Sequence, residues 1–235
     1  MSIPYFFIPA YREGQQQLVL DEDSSRHILR VLRMKEGEVL QLADGKGHLL
    51  RAVITGQDKK KCTVKITETS WQPRPAPAIS VALSLLKNSH RYEWFLEKAA
   101  EIGVRTIIPL LCERTEKQQF RAERMKGILV SAMLQSQQAW LPELSTPLRL
   151  EEVLKGSLQQ KKWVAHCADQ EKISLRSQAA GDHSSALILI GPEGDFTDRE
   201  IDLALKNEFI PVTLGENRLR SETAAVVAAG LLRIW

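Results

Sequence analysis

Cysteine is scarce in this chain of 235 residues, and the three present, Cys62, Cys112 and Cys167, are widely separated. An odd, scattered set excludes a disulfide framework and offers no close pair for zinc, so these read as reduced, mostly buried thiols. Long hydrophobic runs are missing too. No stretch approaches the roughly 18 apolar residues that cross a bilayer, and the longest candidate, residues 224–235, carries Arg233. The start lacks a basic segment, and Pro4 and Pro9 bracket its apolar residues, so neither a membrane span nor a secretory signal is expected and the location reads as cytoplasmic. Excess charge is absent: 32 Lys plus Arg against 29 Asp plus Glu leave +3, which excludes bulk-basic binding to nucleic acid. The five histidines, His27, His48, His90, His166 and His183, never fall at metal-ligand spacing, and neither Gly-x-Ser-x-Gly nor His-Glu-x-x-His occurs. No metal and no serine hydrolase chemistry is expected.

What is present divides at residues 71–78, Trp-Gln-Pro-Arg-Pro-Ala-Pro-Ala, where alternating prolines favour a stiff extended linker. Before it, residues 5–8, 17–20, 39–43, 49–55 and 62–67 read as strands, with a turn at Asp44-Gly-Lys-Gly47. After it, strands at 79–85, 106–111, 163–167, 186–190 and 210–214 alternate with helices at 91–102, 122–136, 198–206 and from Ser221. Short unbroken apolar runs spaced by helices indicate a parallel sheet covered on both faces. The expected division is 1–72, a linker at 73–78, and an α/β domain over 79–235.

One helix interrupts the first group of strands. Ser24 is expected to cap it and Gly37 to follow its end, with Arg26, Arg30 and Arg33 on one face and Ile28, Val31 and Leu32 facing inward. Residues 24–35 contain no acid, so the strip reads either as a solvated face or as a phosphate contact. The final helix, Ala224-Ala-Val-Val-Ala-Ala-Gly-Leu-Leu232, is small or apolar on every side. It fits a buried core helix, a self-association surface, or both.

Two junctions follow strands of the α/β half, where ligands bind in open sheets. Gly191-Pro-Glu-Gly-Asp-Phe-Thr197 permits close backbone approach, and Asp195 or Thr197 suits the cap of the next helix. It matches neither phosphate-loop nor dinucleotide patterns, and an ordinary turn is the alternative. Leu214-Gly-Glu-Asn-Arg-Leu-Arg-Ser-Glu-Thr-Ala224 is denser in reactive groups. Ser221 suits a helix cap and Glu222 a first turn, whereas Arg218 and Arg220 suggest anion stabilisation or surface pairing with Glu216 or Glu222.

Taken in order, His27-Ile-Leu-Arg-Val-Leu-Arg33 with Glu36-Gly37, Asp44-Gly-Lys-Gly47, Lys98-Ala-Ala-Glu-Ile-Gly-Val104, Gln135-Ser136, Leu141-Pro-Glu-Leu144, Ile190-Gly-Pro-Glu-Gly194 and Leu219-Arg-Ser-Glu-Thr-Ala224 span essentially the whole chain. The set resembles the ribosomal RNA small subunit methyltransferase E family of the SPOUT superfamily. The resemblance implies a PUA-like β-barrel that binds RNA, followed by a trefoil-knotted α/β domain that binds S-adenosylmethionine. It also implies a homodimer that methylates N3 of a uridine in 16S ribosomal RNA, free or in the small subunit. It places His166, Ile190, Gly191, Pro192, Glu193, Gly194, Leu214, Gly215, Leu219, Arg220, Thr223 and Ala224 at the cofactor. For that reaction Arg220 is the expected anion-stabilising group and Glu222, or else Glu193, the expected general base, while Arg26, Arg30, Arg33, Lys35 and Lys87 are expected to hold RNA. Three places depart from the family pattern: Gln138 for an arginine, Asp195 for a glycine, and Glu216-Asn217-Arg218 for Pro-Arg-Ile.

Overall fold

The computed structural model describes residues 3–58, 61–179 and 184–234. His183, named above, lies outside the described residues. The chain forms two compact units, one of residues 1–74 with 133–141, the other of residues 75–132 with 142–235. Residues 133–141 therefore depart from the expected continuous 79–235 domain. The reason is backbone pairing: Gly47 N donates to Ala139 O at 3.0 Å and Leu141 N to Gly45 O at 3.0 Å, with a bridge between Lys46 and Trp140. A Cβ on Gly47 would stand 2.7 Å from the Trp71 ring and 2.8 Å from the Trp140 ring, so the Asp-Gly-Lys-Gly turn is a tight seat for this segment.

The first unit holds β1 (Tyr5–Phe7), β2 (Gln17–Val19), α1 (Glu22–Arg26), β3 (Val39–Ala43), β4 (His48–Asp58) and β5 (Lys61–Trp71). The sheet order is β1-β3-β4-β5-β2, with β1 parallel to β3 and the other pairs antiparallel. Alternating side chains from the strands, Leu40, Leu42, Leu50, Ala52, Ile54, Cys62 and Val64, bury a core that Ile28 completes.

The helix here differs from expectation. Asp21, not Ser24, is its N-cap, accepting from Ser24 N, and a wider turn of π-helix at His27–Val31 follows α1. Buried Ser25 ties it to the sheet, donating to Leu20 O at 3.2 Å and accepting from Cys62 N at 3.0 Å. The wider turn breaks the expected spacing. Val31 is 64% and Leu32 42% exposed, leaving Ile28 as the inward anchor, and Arg33 sits at φ 54° beyond the helical segment.

The second unit comprises β6 (Ile79–Ser84), α2 (Ser89–Ile102), β7 (Thr106–Leu111), α3 (Ala122–Gln135), β8 (Glu143–Leu144), β9 (Leu148–Arg149) and α4 (Leu150–Gly156). Then come β10 (Lys161–Ala165), β11 (Ile173–Ser174), α5 (Leu175–Ala179), β12 (Ala186–Ile190), α6 (Asp198–Lys206), β13 (Ile210–Thr213) and α7 (Ser221–Ile234); α3 runs on into the first unit's segment. The sheet runs β11-β13-β10-β12-β6-β7-β8 with every pair parallel, and β9 also pairs with β7. Every residue of β6 and β12 is buried, as the unbroken apolar runs demand of strands covered on both faces.

Gly103, at φ 82°, ends α2 in the left-handed turn that glycine takes without strain. Helix α7 packs on α2, α5, β6 and β12. Ala225, Ala228, Ala229 and Leu232 are buried, whereas Val226, Val227, Gly230 and Leu231 keep partial exposure. Among the described residues, no helix is long and apolar enough to cross a membrane.

Candidate functional site

Strands β13, β10 and β12 lie side by side and parallel, so the loops after them leave from one edge of the sheet. These loops surround a cavity of about 700 Å³ within the second unit. Ten of the residues assigned to a cofactor line it: His166, Ile190, Gly191, Pro192, Glu193, Leu214, Gly215, Leu219, Arg220 and Ala224. Gly194 and Thr223 do not. The Gly194 carbonyl instead accepts from Arg114 at 2.7 Å, and Thr223 lines an adjoining cavity with His90, Arg91, Trp94, Arg218, Leu219, Arg220 and Glu222.

The loop after β12 is held at each step. Gly191 is buried, and a Cβ there would stand 3.1 Å from Phe196. Glu193 Oε1 accepts from Lys87 N at 3.0 Å, a structural engagement for a carboxylate that was a candidate base. Asp195 sits at φ 64°, the left-handed conformation that aspartate tolerates better than most residues. Its Oδ2 accepts from Cys167 N at 2.7 Å and its Oδ1 from Phe196 N at 2.9 Å. Where the related pattern has glycine, this chain thus has a clasp between the β12 and β10 loops. Thr197, rather than Asp195, caps α6 through a reciprocal box with Glu200.

The β13 loop turns at Gly215, φ 141°, whose carbonyl accepts from the Thr213 hydroxyl at 2.9 Å. Ser221 is the first residue of α7 rather than its cap, because Arg220 O already accepts from Ala224 N at 2.7 Å.

His166 marks the polarity of the cavity. It is 7% exposed, and neither ring nitrogen has a hydrogen-bond partner among the described residues. Burial, with a smaller push from Lys172 and against the pull of Asp195, lowers its pKa and keeps the ring neutral. A neutral imidazole offers one donor and one acceptor, so this cavity suits a ligand with polar groups of both kinds. Lys172 Nζ donates to His166 O and Ala168 O, closing the turn below it. Glu222, 5% exposed, places Oε1 3.6 Å from Arg91 Nε, while its Oε2 is buried without a partner among the described residues.

The basic candidates are spread over both units. Arg30, Arg33 and Lys35 are exposed. Arg26 is engaged by acids just upstream, with Glu22 at 3.5 Å and Asp23 at 3.4 Å. Lys87 is exposed but pairs with Glu116 at 2.8 Å; at the departing position 138, the Gln138 backbone N–H donates to Met133 O. Sequence reasoning missed Arg91, Trp94 and Lys172. Arg91 and Trp94 lie in the helix that follows β6, so the rule that ligands gather beyond strand ends points to them in retrospect.

Comparison with known proteins places these features in a family. The RNA methyltransferase domain matches residues 73–233, and the RNA methyltransferase PUA domain matches residues 20–67. Ribosomal RNA small subunit methyltransferase E of Synechocystis is 30% identical, covering 94% of this chain and 77% of its own length. A probable rRNA-methyltransferase from Porphyromonas gingivalis is 36% identical with a TM-score of 0.91, covering 99% of both chains. A ribosomal RNA small subunit methyltransferase E from Neisseria gonorrhoeae, solved with S-adenosylmethionine, is 27% identical with a TM-score of 0.86, covering 99% of this chain and 98% of its own. A domain match over residues 73–233, a PUA-like unit before it and likeness along nearly the whole chain give one answer: this chain belongs to the RNA methyltransferase family.

Proposed function

We propose that this chain is an S-adenosylmethionine-dependent methyltransferase acting on N3 of one uridine in 16S ribosomal RNA, as free RNA or within the small subunit. The observation that carries the reading is the convergence of three parallel-strand loops on one cavity, where neither ring nitrogen of His166 has a partner among the described residues and the lining also holds Arg220. Those nitrogens and the backbone of the 191–193 and 214–219 loops are the groups that would hold and orient the cofactor. When bound, S-adenosylmethionine supplies a methyl group on a sulfonium and leaves as a thioether.

Uracil N3 carries a proton at neutral pH, so this chain has to remove it and stabilise the anion. Arg220 serves the second task, since a guanidinium is cationic and presents a planar fork of N–H donors to a developing anion. Glu222 serves the first, because its Oε2 is buried and has no other partner among the described residues; such a base contributes roughly 10²–10⁴-fold. Arg30, Arg33 and Lys35 grip the RNA backbone, with lesser contributions from the already paired Arg26 and Lys87. The half-exposed face of α7 fits a homodimer contact, and the trefoil knot and cytoplasmic location complete this reading.

Incubation of the purified chain with methyl-labelled cofactor and 16S ribosomal RNA should give N3-methyluridine on nucleoside mass spectrometry. No label, or label at another atom, overturns the reading. Exchanging both Arg30 and Arg33 for alanine should weaken RNA binding and make its salt slope shallower by roughly 0.7–0.9 for each phosphate no longer neutralised. An unchanged slope removes this segment from the RNA interface.

A further inference from the structure

The cavity adjoining the cofactor site is about 600 Å³ and shares Arg91, Arg218, Leu219 and Arg220 with it. A group bound in one therefore lies against a group bound in the other. Its chemistry is unlike a general RNA groove. Trp94 is 41% exposed, large apolar area for a ring that is usually well covered. Arg91 precedes it by about one helical turn and lines the same cavity. The one acid among the described residues of this lining is Glu222, whose Oε2 is buried and accepts nothing from them. A buried carboxylate oxygen left without a donor is costly, and a ligand N–H would relieve it.

We propose that Trp94 and Arg91 of α2, with Glu222, form the acceptor-base site, and that this site selects uracil over cytosine. The proposal rests on the methyltransferase reading above and extends it to the substrate's own pocket. Uracil presents an imide N–H between two carbonyl oxygens and a π face. Trp94 takes the face, as aromatic side chains do for bases drawn out of a stack. Arg91 and Arg220 donate to the carbonyl oxygens, and Glu222 Oε2 accepts the N3–H. Cytosine has no proton at N3 and would set a lone pair against that carboxylate. In the reaction the N3–H bond breaks and an O–H bond forms on Glu222. The electron pair left on N3 would form the N–CH3 bond as the methyl–sulfur bond of the sulfonium breaks and its electron pair stays on sulfur, and the proton later passes to water.

The test uses the full chain, 16S ribosomal RNA and two variants, Trp94→Ala and Trp94→Phe. Loss of one base-stacking surface should lower kcat/KM for methyl transfer roughly 10- to 100-fold in Trp94→Ala, with most of it restored in Trp94→Phe. Calorimetric affinity for S-adenosylmethionine and the sedimentation coefficient should match the parent protein. An unchanged kcat/KM in Trp94→Ala, or an equal loss in both variants, overturns the proposal while the parent's activity keeps the functional reading intact. Activity lost together with a changed sedimentation coefficient assigns Trp94 to a subunit contact and also overturns it. A parent protein that forms no N3-methyluridine defeats the functional reading first, and this site falls with it.

Discussion

Replacing Arg220 with alanine should lower kcat for methyl transfer by about 10²–10³-fold, the loss that follows removal of one positioned donor to a developing anion. Arg220 is exposed at a rim common to both cavities, where a guanidinium would reach negative charge on a base bound there. Truncation leaves the fold alone, because the first turn of α7 is closed by the Arg220 carbonyl and not by its side chain. Thermal stability should therefore stay within about 0.5 kcal/mol, as for other surface substitutions. Arg220→Lys keeps the charge but loses the planar fork, and should recover part of the rate. Single-turnover kinetics with saturating cofactor separate this from weakened binding. Retained kcat in Arg220→Ala would sink the assignment.

Much of this architecture is legible in local pattern. The runs Thr106–Leu111 and Ala186–Ile190 are strands with the bounds expected from their apolar composition; the second is buried on both faces and needs no polar alternation. The helix near residue 24 was less legible. Its cap is set by Asp21, three residues before the Ser24 amide it accepts from, and its pitch by a π turn that no hydrophobic period announces. The lack of acids within residues 24–35 does not leave Arg26 unpaired, because its partners lie just outside that segment.

Non-local pairings were invisible for a different reason. The seating of residues 139–141 on the Asp44–Gly47 turn uses backbone groups that every residue carries. The ion pair of Arg91 with Glu222 joins residues far apart in the chain, so no spacing encodes it. For the site, motif order located both loops, whereas the Asp195 clasp and the second cavity required three dimensions. Asp195 entered as a departure from a glycine pattern; the left-handed backbone explains why glycine suits that place, and the Cys167 amide explains what aspartate adds.

The second large effect is expected at Gly191. An added Cβ would stand 3.1 Å from both the backbone nitrogen and a ring carbon of Phe196. Phe196 cannot retreat cheaply, being 3% exposed and packed in a core with Leu187, Leu189 and Ile201. Its amide also donates to Asp195, which holds the Cys167 amide with its other oxygen. A shift at 191 therefore passes through Asp195 into the loop that carries His166, and two of the three walls of the cavity move together. Overpacking of this kind costs about 1–3 kcal/mol of stability. Gly191→Ala should lower cofactor affinity by about tenfold or more, since each 1.4 kcal/mol of misfit is a factor of ten, and Gly191→Val should exceed it. Calorimetry gives the affinity and thermal unfolding gives the stability. Because the strain lies in the loop and not at the residues proposed to grip RNA, RNA affinity should be preserved in Gly191→Ala. Undiminished cofactor affinity in the valine variant would show that the 191–193 backbone does not form the cofactor's wall.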